Sequence, residues 1–441
     1  MPETGNSQPP PPGEAPRVVE RLFRDEWGKM VATLTRIFGI EHLTLAEDVV
    51  QEALARALQT WPFYGIPENP SAWIMRVSRN LALDHARRAS LFRHKEAEIA
   101  TFLEPAETAD PVFDETEIQD DRLRMIFACC HPQVPQDAQV ALALKTLCGF
   151  STAEIASAFL CSETAVAKRL TRAKQRIREA RIPFEIPAGE ELSARLDAVL
   201  QTLYLLFNEG YKASSGERLV RDELCREAIR LATLVAEHPA CNRPEVHALL
   251  ALMQLNAARL PARTDAEGNL LLLEDQDRAR WDREMIVRGM RHLAESASGD
   301  EAGAYHLQAG IAACHCFAHD YASTDWPRIL ALYDRLLEID ASPVIALNRA
   351  VALANVHGAE AGLEAALALR AEGALDSYYL LHVVLGELES RLGRVEAAAT
   401  HFQQALERTE AATERAFLAK KLRGCDVSAA DRASGRVPGA A

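Results

Sequence analysis

The chain has 441 residues, too many for one hydrophobic core, and its 48% hydrophobic and 25% charged content is ordinary for a globular protein of two or three domains. Aromatics make up only 6%, and the abundant Ala, Leu, Glu and Arg lean towards an all-α fold. A formal net charge of −14 excludes a protein that coats nucleic acid through its overall field, so any such contact must come from a local basic face.

The first segment, Met1 to Pro16, is Pro-rich and lacks the apolar stretch of a secretion signal; it reads as a disordered tail. No apolar run is long enough to span a bilayer. The nine cysteines are scattered and odd in number, as expected of reduced thiols in a cytoplasmic protein.

Helical periodicity runs from Arg17 to Lys95, broken at Trp61-Pro62 and over the loop Gly65 to Pro70. Thr44-Leu45-Ala46-Glu47 has the spacing of a capping box and predicts a helix to about Thr60. Val50, Ala53, Leu54, Ala57 and Leu58 face inward in that helix, while Asp48, Gln51 and Glu52 share the outer face. Asn69-Pro70 opens the next helix with proline at its first position. There Ile74, Val77 and Leu81 point to the core. Arg76, Asn80, Asp84 and Arg87 lie along an outer strip with Arg79 and Arg88 beside it.

Residues Glu96 to Asp121 carry ten carboxylates and no Lys or Arg, the signature of an acidic linker. A second helical block follows from Arg122 to Arg181. Within it, Ser151 and Glu154 form a capping box, and Ile155, Ala156 and Phe159 give a short helix its apolar face. Leu160-Cys161-Ser162 makes a turn with Ser162 as N-cap of a second helix. Val166, Leu170, Ala173 and Ile177 form its inner stripe; Lys168, Arg169, Arg172 and Arg176 collect on the other side, with Thr164 near the entry. This is a helix-turn-helix with a basic outer face, suited to the major groove and to phosphates. The competing description is a solvated basic helix in an ordinary bundle.

Ile182 to Pro187 breaks the helix and marks a boundary. Beyond it, helices joined by short turns continue to Arg423. Leu196, Val199, Leu200, Leu203 and Phe207 form one stripe, expected to end at a Gly210 cap. Further on, Leu385-Gly386, Ala398, Phe402 and Ala405 match the small and large positions of a tetratricopeptide repeat, and Tyr333, Leu367 and Phe402 recur at close to its period of about 34 residues. Cys314-His315-Cys316 with His319 has a chelating flavour but no companion ligand pair, so no metal or cofactor is expected. Nor does any nucleophile–base pair, phosphate loop or paired carboxylate suggest an enzyme.

In combination, "AEDVVQEALARAL", "PSAWIMRVSRNLALDHARR", an acidic linker and "GFSTAEIASAFLCSETAVAKRLTRAKQRIR" resemble an extracytoplasmic-function (ECF) sigma factor of the sigma-70 family over about the first 185 residues. The whole chain is similar to the subgroup with a tetratricopeptide-like extension. The resemblance implies an all-α chain: a tail at 1–16, sigma region 2 at 17–95, a linker at 96–121, a region 4 helix-turn-helix at 122–182 and a helical-repeat regulatory domain at 188–425. It further implies that Asp48, Gln51 and Glu52 bind the β′ clamp of RNA polymerase core. Trp61, Arg76, Arg79, Asn80, Arg87 and Arg88 would engage the −10 promoter element, and Thr164, Lys168, Arg169, Arg172 and Arg176 the −35 element. The extension would regulate through a protein or small-ligand partner. The alternative function is a polymerase-independent helix-turn-helix regulator or adaptor on a repeat scaffold.

Overall fold

The computed structural model describes residues 13–89, 115–158, 161–187, 189–211, 222–239, 241–265, 271–298, 302–373, 375–409 and 412–433. The fold is all-α, with no β-strand among the described residues, and no helix there is long and apolar enough to cross a membrane. Contacts divide the chain into two units: one of residues 1–209 and 226–241, the other of residues 210–225 and 242–441.

In the first unit, α1 (Glu14–Phe38), α2 (Leu43–Tyr64) and α3 (Pro70–Ala89) form one helical module. A 3₁₀ turn, Ile40–His42, leads into α2 after Gly39, whose φ of 91° suits a residue without a Cβ. Two expectations for α2 fail here. Its first residue is Leu43 with no side-chain cap, so Thr44 and Glu47 form no capping box. Pro62 lies inside its last turn rather than breaking it, and the helix ends at Gly65, whose N–H donates to the Trp61 carbonyl at 3.0 Å. The α3 start is as expected: Asn69 Oδ1 accepts from the Ala72 N–H at 3.0 Å, and Pro70 holds the first helical position.

The second module is α4 (Glu115–Cys129), α5 (Gln136–Cys148), α6 (Thr152–Ala158) and α7 (Glu163–Ala180). The acidic run therefore ends earlier than the linker reading, since residues Glu115 to Asp121 form the first turns of α4. Its preceding part, residues 96–114, lies outside the described residues. Asp121 is fully buried and takes Arg36 of α1 at 2.9 Å and Arg124 at 3.0 Å. Burial pushes its carboxyl above the usual range, opposed by Arg36 and Arg124.

The two modules pack on each other through α1 and the C-terminal end of α5. The buried Trp27 indole donates to the Thr146 carbonyl at 2.9 Å. One turn of α1 lies against the next carbonyl: a Cβ on Gly28 would fall 1.9 Å from Leu147 O, so only glycine permits this approach.

Two more helices belong to this unit, the described part of α8 (Gly189–Tyr211) up to residue 209, and α9 (Asp222–Glu237) from Arg226. Arg195 of α8 reaches the Phe127 carbonyl at 3.0 Å, and Arg122 pairs with Glu227 at 2.8 Å. The boundary expected at residues 182–187 thus falls inside the first unit. Gly210 does not end α8, which continues to Tyr211.

The second unit comprises α10 (Pro244–Ala257), α11 (Arg283–Ser296), α12 (Ala304–Phe317), α13 (Trp326–Ile339), α14 (Pro343–His357), α15 (Ala359–Ala371), α16 (Tyr379–Arg391), α17 (Val395–Glu407) and α18 (Ala412–Ala433). Successive helices pack as neighbours. The starts of α14 and α16, residues 343 and 379, and of α15 and α17, residues 359 and 395, are 36 apart in both cases. This fits a tetratricopeptide-like repeat slightly longer than the usual period. Gly386 meets the Phe402 ring, with a Cβ there 2.7 Å from it, which explains the small–large pairing in the sequence.

Replacing Gly28 by Ala is expected to cost about 3 kcal/mol by forcing α1 off α5. A fall in the melting temperature of the first unit, followed by tryptophan fluorescence, checks it; an unchanged transition would mean that this helix crossing is not held in solution.

Candidate nucleic-acid interface

The helix-turn-helix is built as its sequence specifies. The Ser151 N–H donates to Glu154 Oε2 at 2.7 Å and the Glu154 N–H to Ser151 Oγ at 3.1 Å, so the capping box of α6 is closed in both directions. Ser162 sits in an extended conformation and accepts from the Ala165 N–H at 3.3 Å, capping α7. Val166, Leu170, Ala173 and Ile177 are the buried stripe of α7. Phe159 and Leu160 lie outside the described residues.

With that stripe pinned inward, the opposite face of α7 is exposed. Thr164, Lys168, Arg172 and Arg176 are solvent-facing at successive four-residue steps, along roughly 18 Å of helix. Arg169 differs: it is half-buried and turns towards Cys161, with Nη1 at 3.9 Å from the sulfur. Four positions of the expected set therefore share one strip, and Arg169 flanks it.

In the first module, Asp48, Gln51 and Glu52 are all exposed on α2, while Val50, Ala53, Leu54 and Ala57 are buried beneath them. Glu52 pairs with Arg56 one turn on at 2.7 Å. Leu58, expected inside, is 45% exposed, because the buried side of α2 runs through Leu54, Ala57 and Trp61 and leaves Leu58 at its flank.

On α3, Arg76, Asn80 and Asp84 are exposed, whereas Arg79 is half-buried. Arg87 and Arg88 continue the helix, and their side chains lie outside the described residues. Trp61 is only 2% exposed, edge-on to Trp73 at 5.4 Å between ring centroids. Its ring is thus a core element of this conformation and offers no stacking face. The open aromatics at this end of α2 are Phe63 and Tyr64, 77% and 80% exposed. The resemblance implies that the stretch from Pro62 to Asn69 holds a flipped base as a loop, without singling out either ring; both instead sit on the last turn of α2. An exposed aromatic pair has the chemistry to stack on unpaired bases.

Glu47 links the two modules. Its carboxylate is buried and accepts from the Thr146 hydroxyl of α5 at 2.9 Å, and it pairs with Lys174 of α7. Thr146 is doubly used, since its carbonyl already holds Trp27. The helix with the exposed acidic face and the helix with the basic face are thereby tied through one carboxylate. Lys174→Met would leave that buried charge with only its hydroxyl partner, a loss of about 3 kcal/mol. A lowered melting temperature, restored in part by the additional change Glu47→Gln, is the expected outcome; equal stability of all three chains would contradict it.

Comparison with known proteins bears on both modules. The model of Sigma-70 region 2 matches residues 24–92 and that of Sigma-70, region 4 matches residues 124–177. A family of unknown function (DUF6596) matches residues 195–297. An uncharacterized protein of Rhizobium meliloti (strain 1021) is 41% identical over 403 residues, covering 89% of this chain and 92% of that protein. The ECF RNA polymerase sigma factor EcfG of Rhodopseudomonas palustris (strain TIE-1) is 30% identical over 135 residues, 30% of this chain and 68% of that one. The probable ECF RNA polymerase sigma factor SigI of Mycobacterium tuberculosis (strain ATCC 25618 / H37Rv) is 25% identical over 251 residues, 53% of this chain and 84% of its own length. No solved structure matches the chain.

Proposed function

This chain belongs to the ECF group of the sigma-70 family, an RNA polymerase sigma factor, and from that premise we propose a division of labour among its parts. The acidic outer face of α2, Asp48, Gln51 and Glu52, docks on the β′ clamp of core polymerase. The outer strip of α3, with Arg76, Arg79, Asn80, Arg87 and Arg88, engages the −10 element, and the exposed Phe63 and Tyr64 supply stacking surface as the duplex opens. Trp61 supports that surface from below. The exposed strip of α7, Thr164, Lys168, Arg172 and Arg176 with Arg169 at its flank, enters the major groove at the −35 element. The helical extension regulates the chain by holding a protein or small-ligand partner, a task for which stacked helical repeats are suited.

The observation that carries this reading is the doubly capped α6–α7 pair, which buries one side of α7 and leaves its cations on the other. An ordinary bundle helix needs no such open basic strip.

Promoter binding also requires the first unit to open. Elements about 25 base pairs apart are separated by roughly 85 Å of DNA. A compact unit of about 200 residues has a radius of gyration of only about 16 Å. With Glu47 and Gly28 at the join, α3 and α7 cannot serve both elements at once. Separation of the two modules thus precedes or accompanies promoter engagement, and the long acidic segment between α3 and α4 provides the tether.

Run-off transcription with core polymerase and a cognate promoter tests the whole reading, and initiation that depends on the chain is the expected result. Lys168→Ala and Arg172→Ala should each weaken −35 duplex binding and reduce its salt slope by about 1. The pair Phe63→Ala and Tyr64→Ala should leave duplex binding intact while lowering open-complex yield, read by permanganate footprinting of unpaired thymines. Tight, specific duplex binding without core polymerase, and no transcription with it, would favour the polymerase-independent regulator.

A further inference from the structure

The sequence drew attention to Cys314, His315, Cys316 and His319, but the fold disperses them. His319 is exposed beside Asp320, the His315 ring packs edge-on to Trp326, and the buried Cys316 thiol faces the Leu255 carbonyl at 3.5 Å. Among the described residues, one other group brings metal-ligating atoms together: His247 of α10 with His292 and Glu295 of α11. It lies within the second unit, in the stretch matched by the family of unknown function.

The three ligand atoms form a nearly equilateral triangle. His247 Nδ1 and His292 Nδ1 are 3.0 Å apart, His292 Nδ1 and Glu295 Oε2 3.1 Å, and His247 Nδ1 and Glu295 Oε2 3.2 Å. A tetrahedral zinc ion with bonds of about 2.0–2.2 Å holds its ligand atoms roughly 3.3–3.6 Å apart. An outward shift of a few tenths of an ångström therefore admits an ion. Both helices present their ligands from well-packed backbone, and the i, i+3 spacing of His292 and Glu295 puts them on one side of α11.

The surroundings set the chemistry. His247 is buried, and its other ring nitrogen, Nε2, lies 3.2 Å from Asn242 Oδ1. An amide oxygen only accepts, so Nε2 carries the proton and Nδ1 turns a bare lone pair towards the triangle. This is the outer-shell arrangement that orients metal-binding imidazoles. One ring proton satisfies one edge of the triangle and leaves the remaining lone pairs facing each other. A divalent cation satisfies all three at once.

We propose that His247, His292 and Glu295 bind one divalent transition-metal ion of the zinc class. Two imidazoles and a carboxylate disfavour magnesium and calcium, which take oxygen ligands. Glu295 is half exposed, so solvent reaches the ion and completes its coordination. The ion clamps α10 to α11 and makes the stability of this helix pair responsive to metal supply. This site stands independently of the promoter reading.

The test uses the full chain after chelator treatment, titrated with Zn²⁺ by calorimetry and with Co²⁺ by visible absorption. One equivalent is expected, with the d–d bands of nitrogen and oxygen ligation, no thiolate charge-transfer band, and a raised melting temperature. His292→Ala should abolish this binding, and Glu295→Gln, a change at a half-exposed position, should weaken it while leaving the fold intact. Asn242→Ala should weaken it by about 10–100-fold. Three results would each overturn the proposal: no binding at micromolar metal, a thiolate band placing the ion on cysteines, or equal affinity in the full chain and both ligand variants. In the first case the triangle holds a proton.

Discussion

One buried carboxylate organises the DNA-facing half of this protein. Glu47 cannot be left alone in an apolar interior, because an unpaired buried charge costs far more than a single contact returns. Its partners come from two other helices, the Thr146 hydroxyl on α5 and the Lys174 ammonium on α7. Satisfying Glu47 therefore fixes where the helix-turn-helix lies against the first module. Trp27 and Gly28 complete the same contact from α1.

The same join constrains function. Under the proposed division of labour the modules grip two separated stretches of DNA and must part, yet here they share a buried ion pair and a close helix crossing. Polar links are suited to reversible contact, since water and phosphates can replace each partner once the modules separate. Lys174 lies on the helix whose neighbouring cations face outward, so the join and the exposed basic strip occupy different sides of α7. The strip stays accessible while the modules are closed.

The second unit follows other rules. Its helices are held by repeated small–large contacts, such as Gly386 against Phe402, each involving near neighbours in the sequence. Polar contacts cross between its helices as well, as where the Tyr379 hydroxyl donates to Glu414 at 2.5 Å. In the His247, His292 and Glu295 group, three potential ligand atoms converge between two helices that 25 residues separate.

Local signals were legible without a structure. The capping box at Ser151 and Glu154, the Ser162 cap and the stripe Val166, Leu170, Ala173 and Ile177 depend on residues within one or two helical turns, so spacing alone determines them. The exposed face of α7 follows, because a pinned apolar stripe leaves its opposite side to water. What spacing could not reveal was the destination of groups whose partners are distant in the chain. Glu47 has the position of a capping residue but is drawn inward by Thr146, 99 residues away, and by Lys174, 127 residues away. The resemblance assigns Trp61 to the −10 element, yet the ring is buried against Trp73, and Phe63 and Tyr64 are the surface aromatics on the last turn of α2. His247 and His292, 45 residues apart, meet only when α10 and α11 pack. Sequence by itself determined the helical character, the caps of α3, α6 and α7 and the basic strip; tertiary packing alone decided which polar groups were buried together, since burial and pairing depend on neighbours that only the folded chain brings within reach.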